Sequence, residues 1–208
     1  AELLTPAWKG KYTMLDDPGL PFFMLAQSMG FTDAPNLTTD EFNQVKTKVT
    51  QLVKNAAAFS TSYQDATDRM VAGDVDLAIN GWEAMVGFAK AKNAKLAYSF
   101  FKESKGGGYY DGMAISKTAK NPECALAYID QLIAPKANAK LANNLTSGAA
   151  NGKAIPYLDK QAKQYDYKGV ESPTGGIDFV NVYPPETAAA GHASLKDWKD
   201  AWAAIKAG

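Results

Sequence analysis

Residues 57–91 read AAFSTSYQDATDRMVAGDVDLAINGWEAMVGFAKA, and two kinds of hydrophobic spacing alternate along them. Ala58-Phe59-Ser60-Thr61 reads as a strand end that opens into a polar loop. Asp65 to Val71 suits a short helix, which Gly73 stops. Val75-Asp76-Leu77-Ala78-Ile79 is short and apolar, as a strand is. Asn80-Gly81 then turns the chain, and Trp82 to Ala91 predicts a second helix. Strand, helix, strand, helix in that order predicts an α/β layer rather than a sandwich or a helical bundle.

The flanking sequence extends the pattern. Upstream, Lys9-Gly10-Lys11-Tyr12-Thr13-Met14-Leu15 predicts a turn and a short buried strand, stopped by Asp16-Asp17-Pro18-Gly19. Leu20 to Met29 suits a buried helix with Pro21 in its first turn and Gly30 at its end. Thr38 and Glu41 have capping-box spacing ahead of Phe42, Val45, Val49 and Leu52, which predicts an amphipathic helix to about Lys54. Downstream, Leu96 to Phe101 and Met113 to Ser116 are strand candidates, separated by Gly106-Gly107-Gly108, whose free torsions suit a hinge or crossover. Asn121-Pro122-Glu123 predicts a helix start with a side-chain cap, running to about Ile133. A helix over Ala137 to Asn144 and a loop-rich stretch through Pro185 follow. Leu195, Trp198, Trp202 and Ile205 mark one face of a terminal helix.

Composition removes several functions. The chain has 208 residues, of which 22 are basic and 22 acidic, so it lacks the positive excess that nucleic acid demands. No run approaches the eighteen apolar residues of a membrane-spanning helix. The single cysteine, Cys124, excludes an internal disulfide and a cysteine-based zinc cluster, and the single histidine, His192, cannot build a multi-histidine metal site. Arg69 is the only arginine, so a bidentate clamp on phosphate or carboxylate would have to use it. No cofactor is expected. The opening Ala1-Glu2-Leu3-Leu4-Thr5-Pro6 lacks the charged start and apolar core of a signal peptide, which is compatible with a mature exported product.

Four groups fall at strand ends or loops, where binding residues concentrate: Asp16-Asp17, Ser60-Thr61, Trp82-Glu83 and Tyr109-Tyr110-Asp111. Carboxylates beside aromatic faces suit an organic cation, and the same aromatics could stack on a sugar ring. Each group also has a structural reading: a turn for Asp16-Asp17, a helix cap for Ser60-Thr61, packing for Trp82 and the two tyrosines. Catalysis is not expected. There is no Gly-x-Ser-x-Gly elbow, and His192 in Ala-Gly-His-Ala-Ser reads as a surface residue. Asp17 and Asp111 would be the pair to test for glycoside cleavage.

Four stretches also share an order with a known group: Trp8-Lys9-Gly10-Lys11 leading to Leu15-Asp16-Asp17-Pro18; Ala72-Gly73-Asp74-Val75-Asp76-Leu77-Ala78; Gly107-Gly108-Tyr109-Tyr110-Asp111-Gly112-Met113-Ala114-Ile115; and Ala119-Lys120-Asn121-Pro122-Glu123-Cys124-Ala125. In order and spacing the chain resembles the solute-binding proteins of ABC importers, and among them the spermidine/putrescine-binding group. The resemblance implies a type II periplasmic-binding-protein-like α/β lobe, a mixed sheet flanked by helices, with a segment of a second lobe. It implies capture of a small amine, polyamine-like, for a membrane permease, in the periplasm or outside the cell. Asp17 would hold a ligand ammonium, Asp111 would be a second amine-binding acid, and Tyr109 would stand where the family often has tryptophan. Trp82 lies one position from the family's cleft tryptophan, and Ser60 or Thr61 near the cleft edge. Leu20 stands where polyamine binders usually have an acid, with Glu83 as the candidate replacement. Ala78-Ile79-Asn80-Gly81-Trp82 resembles a stretch of sugar-binding members, so a carbohydrate is the alternative ligand. Family members are longer, and their first lobe begins before the Trp8 motif. By that pattern residues 1–104 and 146–208 would build the second lobe, and 105–145 would be a crossover segment belonging to the first. A lone lobe could instead act as a self-associating module.

Overall fold

The computed structural model describes residues 2–99, 112–160, 162–164 and 182–208. In chain order its α-helices are α1 (Gly19–Ser28), α2 (Thr39–Asn55), α3 (Tyr63–Ala72), α4 (Met85–Ala91), α5 (Pro122–Ile133), α6 (Pro135–Leu145) and α7 (Leu195–Ala207), and its strands are β1 (Tyr12–Leu15), β2 (Ala58–Ser60) and β3 (Leu77–Ile79). The chain divides into two units, Ala1–Gly107 with Asn181–Gly208, and Gly108–Val180.

The first unit is organised by a parallel sheet in the order β2-β1-β3. Thr13 stands opposite Ala58 on one side and Ala78 on the other. Tyr12, Thr13 and Met14 are all buried, as a central parallel strand covered on both faces must be. Two buried polar groups are satisfied across elements: Tyr12 Oη donates to the Leu52 carbonyl at 2.6 Å, and the Thr13 and Ser60 hydroxyls bond at 2.7 Å. All described strands are parallel, each joined to the next through helix, which is the connection parallel pairing needs. No antiparallel partner of the expected mixed sheet lies among the described residues.

The amphipathic reading of α2 holds. Glu41 N donates to Thr38 Oγ1 while Thr38 N donates to the Glu41 carboxylate, and Phe42, Val45, Val49 and Leu52 are buried. The terminal helix opens with a second capping box, Ser194 with Asp197. It buries Trp198, whose ring centroid lies 5.1 Å from Phe22 and 6.4 Å from Phe42, so one aromatic cluster ties α1, α2 and α7 together.

Some local expectations shift. The helix expected from Trp82 starts at Met85, a few residues after Asn80 takes a left-handed φ of 51°. Residues 94–99 and 112–116 form no strand, and Phe100 and Phe101 lie outside the described residues. Asn121 precedes α5 without making the expected side-chain cap.

The second unit packs α6 against a 3-10 segment, Gly152–Tyr157. Its core is Ala139, Ala142, Ala149, Ala154, Leu158 and Ala162, with Ile155 beside it. Asparagines stitch the surrounding backbone: Asn151 N donates to Asn138 Oδ1, Asn151 Nδ2 to the Ile133 carbonyl, and Asp159 N to Asn143 Oδ1. Ala149, Ala154, Leu158 and Ala162 thus pack with Ala139 and Ala142 of α6.

Candidate functional site

Three of the four singled-out groups follow the carboxyl ends of β1, β2 and β3. In open α/β sheets that edge is where ligands bind, because the loops there are free of the ladder and face one crevice. Asn80 helps set the edge: its Oδ1 accepts from Leu15 N at 3.0 Å, extending the β1–β3 pairing by a side chain past the last ladder residue.

The two aspartates after β1 have different partners. Asp16 is committed to α7: it accepts from Trp202 Nε1 at 2.7 Å and from Lys206 Nζ at 2.7 Å on both oxygens. The lysine first and the indole second hold its carboxyl below the usual range. Asp17 starts α1 with one oxygen, Oδ1 accepting from Gly19 N at 2.6 Å and Leu20 N at 3.3 Å. Its other oxygen accepts from Tyr183 Oη at 2.8 Å. Gly19 is required here, since a Cβ on it would fall 2.5 Å from the Tyr183 ring.

Trp82 leaves the end of β3 with its ring centroid 5.4 Å from Tyr63 and 6.1 Å from Phe88. Its indole Nε1 is buried and finds no acceptor among the described residues. Burial raises the pKa of the Tyr63 phenol, and the charges of Asp17 and Glu83 raise it further. Burial, then the bond to Asp17, also push Tyr183 upward. Two carboxylates, two phenols and an indole thus share one neighbourhood at the sheet's edge. Such a grouping can hold a cation by charge and ring quadrupole together.

Ser60 and Thr61 do other work. Ser60 is buried and spends its hydroxyl on Thr13. Thr61 N donates to Asp65 Oδ2 at 2.9 Å, and Ser62 Oγ accepts from Asp65 N, so the loop after β2 caps α3. Arg69 is paired with Asp65 at 3.0 Å. Ser194 Oγ bonds the Asp197 carboxylate, so the Ser194 beside His192 is a helix cap. Tyr109, Tyr110 and Asp111 lie outside the described residues. Among the described residues no cluster of His, Cys, Asp and Glu could hold a metal, and no helix is long and apolar enough to cross a membrane.

Tyr63 and Tyr183 were not singled out from sequence. Tyr63 could have been, as it follows a strand end in the same way as Asp17 and Trp82. Tyr183 could not: it joins Asp17 across 166 positions from a loop without a motif.

The sequence pattern of the bacterial extracellular solute-binding proteins matches residues 3–139. The chain belongs to that family. Comparison with curated protein sequences gives no significant match. Among solved structures, the chain is similar to the spermidine/putrescine ABC transporter substrate-binding protein PotD from Streptococcus pneumoniae, with TM-score 0.70 and 15% identity over 99% of this chain and 60% of that one. It is likewise similar to the Tp0655 (TpPotD) lipoprotein of Treponema pallidum, with TM-score 0.71 and 17% identity over 98% of this chain and 60% of that one. The fold is that of the type II periplasmic binding proteins, and the chain spans 60% of the length of these structures.

Proposed function

We propose that this solute-binding protein captures a small organic cation, a polyamine-like amine, and presents it to an ABC permease from the periplasm or the outer cell surface. The observation that carries the reading is the meeting of Asp17 with Tyr183, Tyr63, Trp82 and Glu83 at the carboxyl edge of the sheet. An ammonium would take its charge partner from Asp17 or Glu83 and the faces of the tyrosine and tryptophan rings for its methylenes. Tyr109, Tyr110 and Asp111 remain the proposed further contacts, with Asp111 as the second acid. Binding, not turnover, is the proposed activity, in keeping with the family and its solved relatives. The names of those relatives supply the polyamine suggestion; the acid-rich edge supports it independently.

A carbohydrate is the second reading, because the Trp82 indole N–H has no acceptor among the described residues and could donate to a sugar hydroxyl. Titration calorimetry of putrescine, spermidine, lysine and glucose into the protein separates the two. The expected result is heat from a polyamine, with affinity about tenfold weaker in Asp17→Asn and in Glu83→Gln. Heat from glucose alone, insensitive to Glu83→Gln but lost in Trp82→Ala, would replace the amine with a sugar.

A further inference from the structure

The two aspartates after β1 differ in what their partners do to their charge. Asp16 takes an ammonium, Lys206 Nζ, on both oxygens and the Trp202 indole N–H besides, so its charge is matched inside the protein. Asp17 takes only neutral donors: Gly19 N and Leu20 N on Oδ1, and Tyr183 Oη on Oδ2. Among the described residues no cation pairs with it, although the side chain is half-buried. It is a firmly held carboxylate whose charge is unmatched.

The same bonds set its remaining capacity. A carboxylate has about four acceptor directions, two on each oxygen. The two backbone donors take both directions of Oδ1, and the phenol takes one of the two on Oδ2. One direction is left. An alkylammonium meets that condition, because its N–H bonds point apart and one of them suffices for Oδ2. A guanidinium does not, because its N–H groups form a rigid planar fork that pairs with two acceptor directions side by side.

More than its hydroxyl holds the phenol there. The Tyr183 ring lies so close to the backbone of Gly19 that a Cβ on that residue would fall 2.5 Å from Cε1 and 2.7 Å from Cζ. Gly19 is also the first residue of α1, and its N–H is one of those bonded to Asp17, so ring, helix start and carboxylate form one closed unit. Burial, then the bond to Asp17, raise the phenol's pKa above its ordinary 10.0, so it stays a donor throughout the neutral range.

We propose that Tyr183, seated on Gly19, is a specificity-determining residue: by filling one direction of Asp17 Oδ2 it leaves the carboxylate room for a single N–H, so that the sheet edge takes alkylammonium ions in preference to guanidinium ions. The inference rests on the reading of that edge as an amine site, and adds which cation it selects. Tyr183 acts through Asp17, as a positioning residue.

Titration calorimetry on the 208-residue chain tests it, with putrescine and its bis-guanidino analogue, which has the same carbon chain, as the two probes. The expected preference for putrescine is about tenfold or more. Tyr183→Phe keeps the ring on Gly19 and opens the second direction of Oδ2, so the preference falls to about threefold or less, with the guanidine binding tighter than before. Gly19→Ala drives the ring off Asp17 by its Cβ and lowers the preference in the same way. The double variant Gly19→Ala/Tyr183→Phe adds nothing further, as two residues acting through one bond require. A merely structural role would weaken both probes by one factor and leave their ratio unmoved. That outcome in Tyr183→Phe overturns the proposal, as does a wild-type chain that takes both probes equally while depending on Asp17. Putrescine heat that is absent, or that Asp17→Asn leaves unchanged, overturns the amine reading itself and the selectivity with it.

Discussion

In the first unit Phe22, Phe42 and Trp198 stack between three helices, with Tyr12, Met14, Val45 and Val49 completely enclosed beneath them. In the second unit the interior is five alanines and Leu158, surrounded by asparagine side chains bonded to backbone. A fully buried large side chain contributes about 1.5–3 kcal/mol, against about 0.8 kcal/mol for each buried methyl-sized group. The first unit therefore holds itself together by area. The second is shaped mainly by directional hydrogen bonds, each of which nets only about 1 kcal/mol. Small cores of that kind need support from elsewhere. The difference matches where function is placed: the candidate ligand edge sits on the well-enclosed unit.

The largest effect expected from this contrast is at Trp198. Trp198→Ala should cost about 3–5 kcal/mol, since it removes a fully enclosed ring touching two others. Leu132→Ala in α5 should cost less than about 1 kcal/mol, because no residue of that helix is buried. Urea unfolding followed by far-ultraviolet circular dichroism checks both. Amide exchange adds which unit opens: Trp198→Ala should raise exchange in α1 and α2 and leave α6 unchanged. Equal loss of protection in both units would break the comparison, since it would mean that they unfold as one.

Next in size is Tyr12→Phe. The substitution keeps the enclosed ring and deletes the hydroxyl that donates a second hydrogen bond to the Leu52 carbonyl near the end of α2. That carbonyl keeps its backbone donor, Ala56 N at 3.2 Å, so the loss is that of one hydrogen bond, about 0.5–1.5 kcal/mol. The same thermal or urea midpoint measures it. A loss near zero would show that the backbone bond from Ala56 N alone serves the Leu52 carbonyl, and that the long-range bond from β1 adds little to the enclosure of the first unit.

The contrast between the units also governs what the sequence discloses. The parallel layer, the α2 capping box and the face of α7 were legible because each is written locally, in periodicity, a cap three residues from an acid, or a glycine after a helix. The strand candidates at 113–116 and, over its described residues, 96–99 were misread from short apolar runs, which periodicity alone cannot assign. The candidate edge was legible in outline, because Asp17, Trp82 and Glu83 all follow strand ends. Its partition was not. That Asp16 belongs to Lys206 and Trp202 while Asp17 belongs to Tyr183 depends on contacts 186 to 190 and 166 positions away. No local pattern distinguishes adjacent aspartates that long-range packing separates.

The Asp16 partnership also yields the smallest expected effect, through pH. Asp16, Glu41, Asp65, Asp68 and Asp197 are held below the usual carboxyl range by hydrogen bonds from Lys206, Thr38 N, Thr61 N, Lys92 and Ser194 respectively, and all five lie in the first unit. A carboxyl whose folded pKa is depressed adds stability that is fully present above its unfolded value, about 3.9 for aspartate, and is lost as pH falls through the folded value. The first unit should accordingly lose amide protection before the second as pH drops below about 4. Asp16 contributes a modest share, since its side chain is 49% exposed and water and salt screen the pair, leaving about 0.5 kcal/mol or less. Asp16→Asn should flatten the acid limb of the first unit slightly while stability at pH 7 falls by a similar amount. Added salt should shrink the difference between the two proteins, because the Lys206 end of the pair is accessible to solvent. A limb that steepens in Asp16→Asn would mean that the lysine, freed from Asp16, finds another carboxylate at the sheet edge, and Asp17 is the acid next in the chain.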